Sequence, residues 1–244
     1  MNKVSIGSWI TLNNMSVVEV MADAAFDWLC IDMEHTVIDY TDAQHLIATI
    51  QSKNLIPYVR VGENNPRIIK RVLDAGACGI IVPLVNSQKD AENAVKAVKY
   101  PPKGIRGVGA AGRAQNYGFG FDKYAKTVNQ RTKVIAQIEH IDAINNLEVI
   151  LGVKGIDGTI IGPFDLSSSM GKPGKFHDPD VIDALLKYET ISKKLKKEMG
   201  YHVIKPDHKL VIEKIEAGYT FIAFSWDTYF LGIKCRNEID KIRR

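Results

Sequence analysis

The chain has 244 residues, of which 45% are apolar and 25% charged. That balance fits a globular protein with a sizeable core and excludes a collagen-like, disordered or disulfide-stapled chain. Its 32 basic and 28 acidic residues leave a net charge of +4, spread along the chain. There is no basic stripe with interleaved aromatics, so nucleic acid is not an expected partner.

Strand-like apolar runs alternate with helix-like periodic segments from end to end. A strand over 4–10 precedes a helix over 16–25, with Ser16 as its N-cap. Strand 28–32 leads to helix 42–53, and strand 56–61 to helix 66–75, with Pro66 well placed in its first turn. Strand 79–83 leads to helix 87–99. A long connection, roughly 100–132, carries Gly107-x-Gly109-x-x-Gly112 between Arg106 and Arg113. It is read as a rim loop with a short helix near 122–128. Then come strand 134–139 with helix 141–151, strand 159–162 with helix 178–199, strand 201–204 with helix 207–217, and strand 221–225 with an amphipathic helix over 228–242. Gly76, Gly152, Gly200 and Gly218 are read as helix-terminating residues.

The strands are near-continuously apolar and β-branched, as expected when both faces are buried. Eight strand–helix pairs without a Pro/Gly/Ser-rich linker predict one α/β domain over residues 1–244, a (β/α)8 TIM barrel. An open doubly wound sheet is the alternative. No segment reaches the roughly 18 apolar residues of a membrane span, so no membrane association is expected. Residues 1–5 lack the apolar stretch of a signal peptide. Cys30, Cys78 and Cys235 are odd in number and form no Cys-x-x-Cys, which points to a reducing, cytoplasmic setting. The run 193–197, rich in lysine, reads as a solvated helix end.

The chemistry gathers at the downstream ends of strands, where such folds keep their active sites. Glu139 and Asp165 end successive strands; two carboxylates with water could hold Mg²⁺ or Mn²⁺, or could simply cap the following helices. His35 lies three residues beyond Asp32 and suits a general base near neutral pH, although a lone rim histidine is more often a surface residue. Arg60 offers a planar fork to a carboxylate or carbonyl, or pairs with Glu34 or Asp32. The glycine-rich string at 107–112 follows no buried strand and is discounted as a dinucleotide site; Arg106 and Arg113 read better as anion or interface contacts. Lys205 could form a Schiff base, but Pro206-Asp207-His208 behind it favours a solvated lysine.

Taken together, several segments resemble the HpcH/HpaI aldolase family of metal-dependent (class II) pyruvate aldolases, which includes aldolases of 2-oxo-3-deoxy sugar acids and of 4-hydroxy-2-oxoheptanedioate. The markers are Gly7-Ser8-Trp9, the run Phe26-Asp27-Trp28 through Asp32-Met33-Glu34-His35, Val59-Arg60, Leu73-Asp74-Ala75-Gly76-Ala77, Tyr100-Pro101-Pro102-Lys103-Gly104-Ile105-Arg106-Gly107, Gln137-Ile138-Glu139 and Gly162-Pro163-Phe164-Asp165. The resemblance implies reversible cleavage of a 4-hydroxy-2-oxo acid to pyruvate and an aldehyde. It implies Glu139 and Asp165 as metal ligands, His35 as base, Asp74 as the acid paired with it and Asp32 as a contributor. Arg60 and Gln137 would face the keto acid, and the Phe164 and Asp165 amides would cradle its carboxylate. It also implies a homo-oligomer, a hexamer with exchanged C-terminal helices, which the 228–242 segment permits. The alternatives are a Schiff-base lyase on Lys205, a barrel using phosphoenolpyruvate or acyl-CoA, and a non-catalytic keto-acid-binding barrel. Met33, the Phe224-Ser225-Trp226 end of the last strand and residues 201–205 depart from the family pattern. Met33 is expected to narrow the space beside His35, the two aromatics to reshape the entrance, and residues 201–205 bear on aldehyde choice.

Overall fold

The computed structural model describes residues 3–243; Met1, Asn2 and Arg244, at the ends of the expected 1–244 domain, lie outside the described residues. The elements run β1 (Ser5–Ile10), α1 (Met15–Ala22), β2 (Trp28–Asp32), α2 (Tyr40–Ser52), β3 (Ile56–Arg60), α3 (Pro66–Ala75), β4 (Gly79–Val82), α4 (Gln88–Val98), α5 (Phe121–Arg131), β5 (Lys133–Ile138), α6 (Ile141–Asn145), α7 (Leu147–Gly152), β6 (Gly158–Ile161), α8 (Pro163–Ser169), α9 (Pro179–Lys194), β7 (Glu198–Val203), α10 (His208–Glu216), β8 (Phe221–Trp226) and α11 (Asp227–Arg243). The eight parallel strands close in sequence order, β8 pairing back onto β1. This is the expected (β/α)8 barrel and not an open sheet.

Helix starts follow local chemistry. Asn14, not Ser16, caps α1, its side chain accepting from the Ser16 and Val17 amides. Asp39 and Asp42 form a reciprocal capping box that starts α2 two residues before the expected point. Gly76 (φ 114°) ends α3 in the left-handed region, and Gly218 (φ 99°) follows α10. The other two glycine assignments fail. Gly152 lies in α7, and Gly200 sits inside β7, whose first residues, Glu198 and Met199, fall within the helix expected over 178–199. A Cβ at Gly200 would stand 2.5 Å from the Thr159 carbonyl oxygen and 3.0 Å from that of Phe221, so close strand packing selects glycine there.

Two cores divide the apolar residues. One lies between barrel and helices, built from residues such as Leu29, Ile31, Val59, Ile80 and Ile138. The other fills the barrel with the alternate, inward residues Trp9, Trp28, Cys30, Tyr58, Ile81, Ile135, Ile160, Phe221 and Ala223. At the floor Trp28 stacks on Phe221 (centroids 4.4 Å, 6° between planes), and Tyr58 stands edge-on to both rings.

The long connection is a correction. It joins α4 to β5 and so lies at the N-terminal face of the barrel, opposite the strand ends that carry the chemistry. Its short helix, expected at 122–128, is α5. Arg106, 1% exposed, donates to Asp74 at 2.6 Å, and Arg113 donates to Gln51 at 2.6 Å. Both arginines serve internal contacts rather than an external anion. Cys30 is buried, Cys78 half-buried and Cys235 exposed, all three free. Among the described residues no helix is long and apolar enough to cross a membrane.

The floor predicts its own sensitivity. A Cβ at Gly7 would fall inside the Trp28 indole, which is fully buried. Gly7→Ala is expected to cost about 3 kcal/mol, by overpacking a site with no room to relax. A thermal melt indistinguishable from that of the unmutated chain would contradict this packing.

Candidate active site

Inward positions that are apolar at the floor become polar at the C-terminal ends of the strands. Asp32 follows Cys30 by two residues, Arg60 follows Tyr58, and Gln137 and Glu139 continue the parity of Ile135. The period of two places all four side chains in the barrel mouth. Arg60 organises them. Its Nε and Nη2 donate to the two carboxylate oxygens of Asp32 at 2.9 and 2.7 Å, a bidentate pair across neighbouring strands. Its Nη1 lies 3.1 Å from Glu34 and 3.5 Å from the Gln137 carbonyl oxygen. Its guanidinium also lies 4.5 Å over the Trp9 ring. The ion-pair alternative for Arg60 is thus realised with both acids.

The network continues to Glu139, 4% exposed. One of its oxygens accepts from the Leu84 amide at 2.7 Å and the other from the Gln137 side-chain amide. Leu84 holds φ 51° to aim its N–H, a backbone conformation that costs a non-glycine residue about 1 kcal/mol or more. Burial raises the Glu139 pKa, with Asp165 adding to the rise, against the lowering by Gln137 and Leu84. Gly162 lies between the two acids. A Cβ there would stand 3.5 Å from a Glu139 oxygen and 3.7 Å from an Asp165 oxygen, so the glycine keeps the space between the carboxylates open.

Asp32 also accepts from the Glu34 and His35 amides at 3.0 and 3.3 Å, fixing the turn that carries both. Burial raises its carboxyl, but the hydrogen bonds and charge of Arg60 prevail and hold its pKa low. Glu34 behaves oppositely: burial, reinforced by Glu139, Asp32 and Asp165, lifts it to about 7 despite Arg60. One Glu34 oxygen is buried without a hydrogen bond. His35 lies 3.8 Å from Glu34, with its side chain 62% exposed.

Within one chain Asp74 is not brought to His35. It lies in the last turn of α3, a helix that starts at the mouth and ends at the opposite face. There it pairs with Arg106 and accepts from Gln115 at 3.2 Å. Within one chain the acid neighbour of His35 is therefore Glu34, which the sequence reading offered only as an ion-pair partner for Arg60.

A cavity of about 290 Å³ lies at this mouth, its wall including His35, Arg60, Gln137, Gly162, Phe164 and Asp165. Lys205 is exposed and does not line it, so the imine-forming lysine lacks its placement. Met33 packs against the outer core and is not in the wall. Of the two aromatics ending β8 only Trp226 lines the cavity, because a bulge intervenes. β1 pairs Gly7 with Ala223 but Trp9 with Trp226, and Ser225, at φ 52°, absorbs the extra residue. Phe224 faces outward onto Phe230.

The match to known proteins follows this geometry. Residues 5–231 match the HpcH/HpaI aldolase/citrate lyase family model. The chain belongs to that family. It is 38% identical over 238 residues to the 2-dehydro-3,6-dideoxy-6-sulfogluconate aldolase of Pseudomonas putida, covering 96% of this chain and 90% of the relative. It is 35% identical to a hydroxypyruvate/pyruvate aldolase of Roseobacter denitrificans, covering 92% and 87%. The crystal structure of an HpcH/HpaI aldolase/citrate lyase family protein from Burkholderia cenocepacia superimposes with a TM-score of 0.94 at 33% identity, covering 99% and 95%. Like these curated relatives, this family member is an aldolase, a carbon–carbon lyase.

The charge arrangement gives a stability test. Because the folded-state pKa of Glu34 is raised, its ionisation opposes folding, and stability falls as pH rises from its unfolded value, 4.5, toward about 7. Glu34→Gln removes that titration. In chelator, the melting temperature of the variant relative to the unmutated chain should rise by about 2–5 °C between pH 5 and pH 8. A constant difference across that range would contradict the shift.

Proposed function

We propose that this aldolase reversibly cleaves a 4-hydroxy-2-oxo acid to pyruvate and an aldehyde, with Mg²⁺ or Mn²⁺ held by Glu139 and Asp165. The observation that carries the reading is a charge imbalance. Asp32, Glu34, Glu139 and Asp165 act electrostatically on one mouth, where Arg60 is the one cationic lysine or arginine in the cavity wall. The donors are hard carboxylate oxygens, and the opening beside Gly162 leaves space between them, which suits either metal. Among the described residues no group of three His, Cys, Asp or Glu side chains forms a ready-made cage. That fits an ion which takes its remaining ligands from water and substrate.

A divalent cation bound there supplies Lewis-acid stabilisation of the negative charge developing on the keto oxygen. The chain's own groups do the rest. Gly162 provides no side-chain cap for α8, leaving the Phe164 and Asp165 amides available to the substrate carboxylate. Arg60, locked by Asp32, presents a second positive contact beside the keto oxygen without reorganising. Gln137 fixes the orientation of Glu139. His35 takes the proton of the C4 hydroxyl. The C3–C4 bond then breaks, its electron pair enters the C2–C3 enolate, the aldehyde leaves, and C3 is reprotonated to give pyruvate. The reverse path forms the bond from pyruvate and an aldehyde.

The reading includes a homo-oligomer in the cytoplasm. Its support is α11, on which Leu231, Ile239 and Ile242 stay exposed, apolar surface for a neighbouring subunit of a hexamer to cover. The three free cysteines fit a reducing compartment.

Pyruvate release from 4-hydroxy-2-oxo acids should vanish in EDTA and return with Mn²⁺ or Mg²⁺; full activity in chelator would overturn the reading. Glu139→Ala should abolish calorimetric Mn²⁺ binding. His35→Ala should keep metal binding and lose about 10²- to 10⁴-fold in turnover. Borohydride trapping of pyruvate on Lys205 would favour imine chemistry instead.

A further inference from the structure

The cavity has two chemically different sides. Strands β3, β5 and β6 bring the polar and charged groups that meet a keto acid. Strands β1, β7 and β8 bring Trp9, His202, Ile204 and Trp226. The His202 ring stands edge-on between two indoles, with centroids 5.5 Å from Trp9 and 5.9 Å from Trp226 and 62° between planes in each pair. The β8 bulge is what turns Trp226 into this position.

Two polar atoms here have no partner. His202 Nε2 and Trp9 Nε1 are both closed to solvent and unbonded. A buried donor or acceptor without a partner destabilises the fold unless a ligand satisfies it. Burial, with Arg60 adding its charge, pulls the His202 pKa down to about 3, so the ring is neutral, with one nitrogen donating and one accepting. The one cation beside these rings, Arg60, 4.5 Å over the Trp9 ring, is already committed to Asp32 and Glu34. Lys205 is exposed outside the cavity wall. The Asp227 carboxylate is already used by the Thr11, Leu12 and Thr228 amides at 2.8, 2.9 and 2.7 Å.

We propose that His202, seated between Trp9 and Trp226, is the aldehyde-selecting residue of this site, and that it favours a short, uncharged, hydroxylated aldehyde over one that carries a carboxylate or sulfonate. The inference rests on the pyruvate-aldolase reading and names the other half of its substrate. A hydroxyl satisfies the neutral imidazole, and the aldehyde's C–H groups lie on the indole faces. An anionic tail would be desolvated there with no uncommitted counter-charge, because Arg60 is held by Asp32 and Glu34. A purely apolar aldehyde would leave the nitrogen unpaired.

The test is aldol addition of pyruvate by the metal-loaded enzyme to three acceptors: glycolaldehyde, its near-isostere propanal, and the anionic succinic semialdehyde. The expected kcat/KM for glycolaldehyde is at least about 10-fold above that for either other acceptor. His202→Leu should collapse the glycolaldehyde-to-propanal ratio toward one, and His202→Gln, which keeps a donor and an acceptor, should retain part of it. Equal or better use of succinic semialdehyde, or an unchanged ratio in a folded His202→Leu variant, would overturn the proposal. If that variant fails to fold, the unmutated enzyme's ratios still test the preference and His202→Gln still tests its assignment to His202, an unchanged ratio there overturning the assignment. Metal-dependent exchange of the pyruvate methyl protons in D₂O, with no aldehyde present, tests the underlying reading separately. Exchange with the wrong aldehyde preference sinks only this inference, whereas absence of exchange sinks both.

Discussion

One guanidinium set among four carboxylates governs the mouth of this barrel. Arg60 is committed to Asp32 by two hydrogen bonds and lies 3.1 Å from Glu34, so it cannot also neutralise Glu139 and Asp165. Removing one partner from a buried charge pair leaves the other uncompensated, a loss of several kcal/mol. Arg60 and Asp32 therefore act as a fixed unit that defines where the remaining negative charge sits. That remainder falls at Gly162, where the open space is, and the location of the charge and the location of the cavity follow from the same interaction.

The barrel divides rigidity from reactivity along its axis. At the floor Trp28, Tyr58 and Phe221 interlock, and Gly7 exists to admit the Trp28 ring. At the mouth the same inward parity delivers groups that oppose folding: a Glu34 oxygen without a hydrogen bond, a Leu84 peptide held at φ 51°, and Ser225 held at φ 52°. Such conformations persist only when their surroundings over-determine them. Here the closed sheet below does so, because no strand can shift without dragging both its neighbours.

Much of this was legible in the sequence because it rests on short-range signals. Apolar runs of five or six residues marked the strands, Pro66 and Gly76 bracketed α3, and polar residues at the downstream ends of the runs pointed to Asp32, Arg60 and Glu139, whereas Gln137 was indicated by the family resemblance alone. The misses share a physical origin, since each depends on contacts between segments distant in the chain. Gly200 looked like a helix terminator, and only the carbonyls of β6 and β8 pressing on it show that a strand requires glycine there. Within one chain α3 runs the length of the barrel and delivers Asp74 to Arg106 at the far face, a placement that the sequence context of Asp74 does not reveal. Glu34 was visible as a polar rim residue, but its raised pKa comes from burial beside Asp32, Glu139 and Asp165, a sum that no local window contains.

The end of β8 shows how one extra residue converts an ordinary strand into a specificity element. Simple alternation from Phe221 and Ala223 would point residue 225 into the barrel and send Trp226 outward to the helices. The bulge against β1 reverses that parity after Ala223. Phe224 keeps its place in the outer core, Ser225 becomes the pivot, its carbonyl accepting from the Ser8 hydroxyl at 3.0 Å, and Trp226 turns onto His202. A single inserted register step thus builds an aromatic wall opposite the carboxylates, without altering any residue on the keto-acid side. Because the two sides stand on different strands, the acceptor side can be reshaped by changes in β7 and β8 while Arg60 and its acids stay in place. That separation is the physical basis on which one barrel mouth can keep a constant reaction and vary its aldehyde.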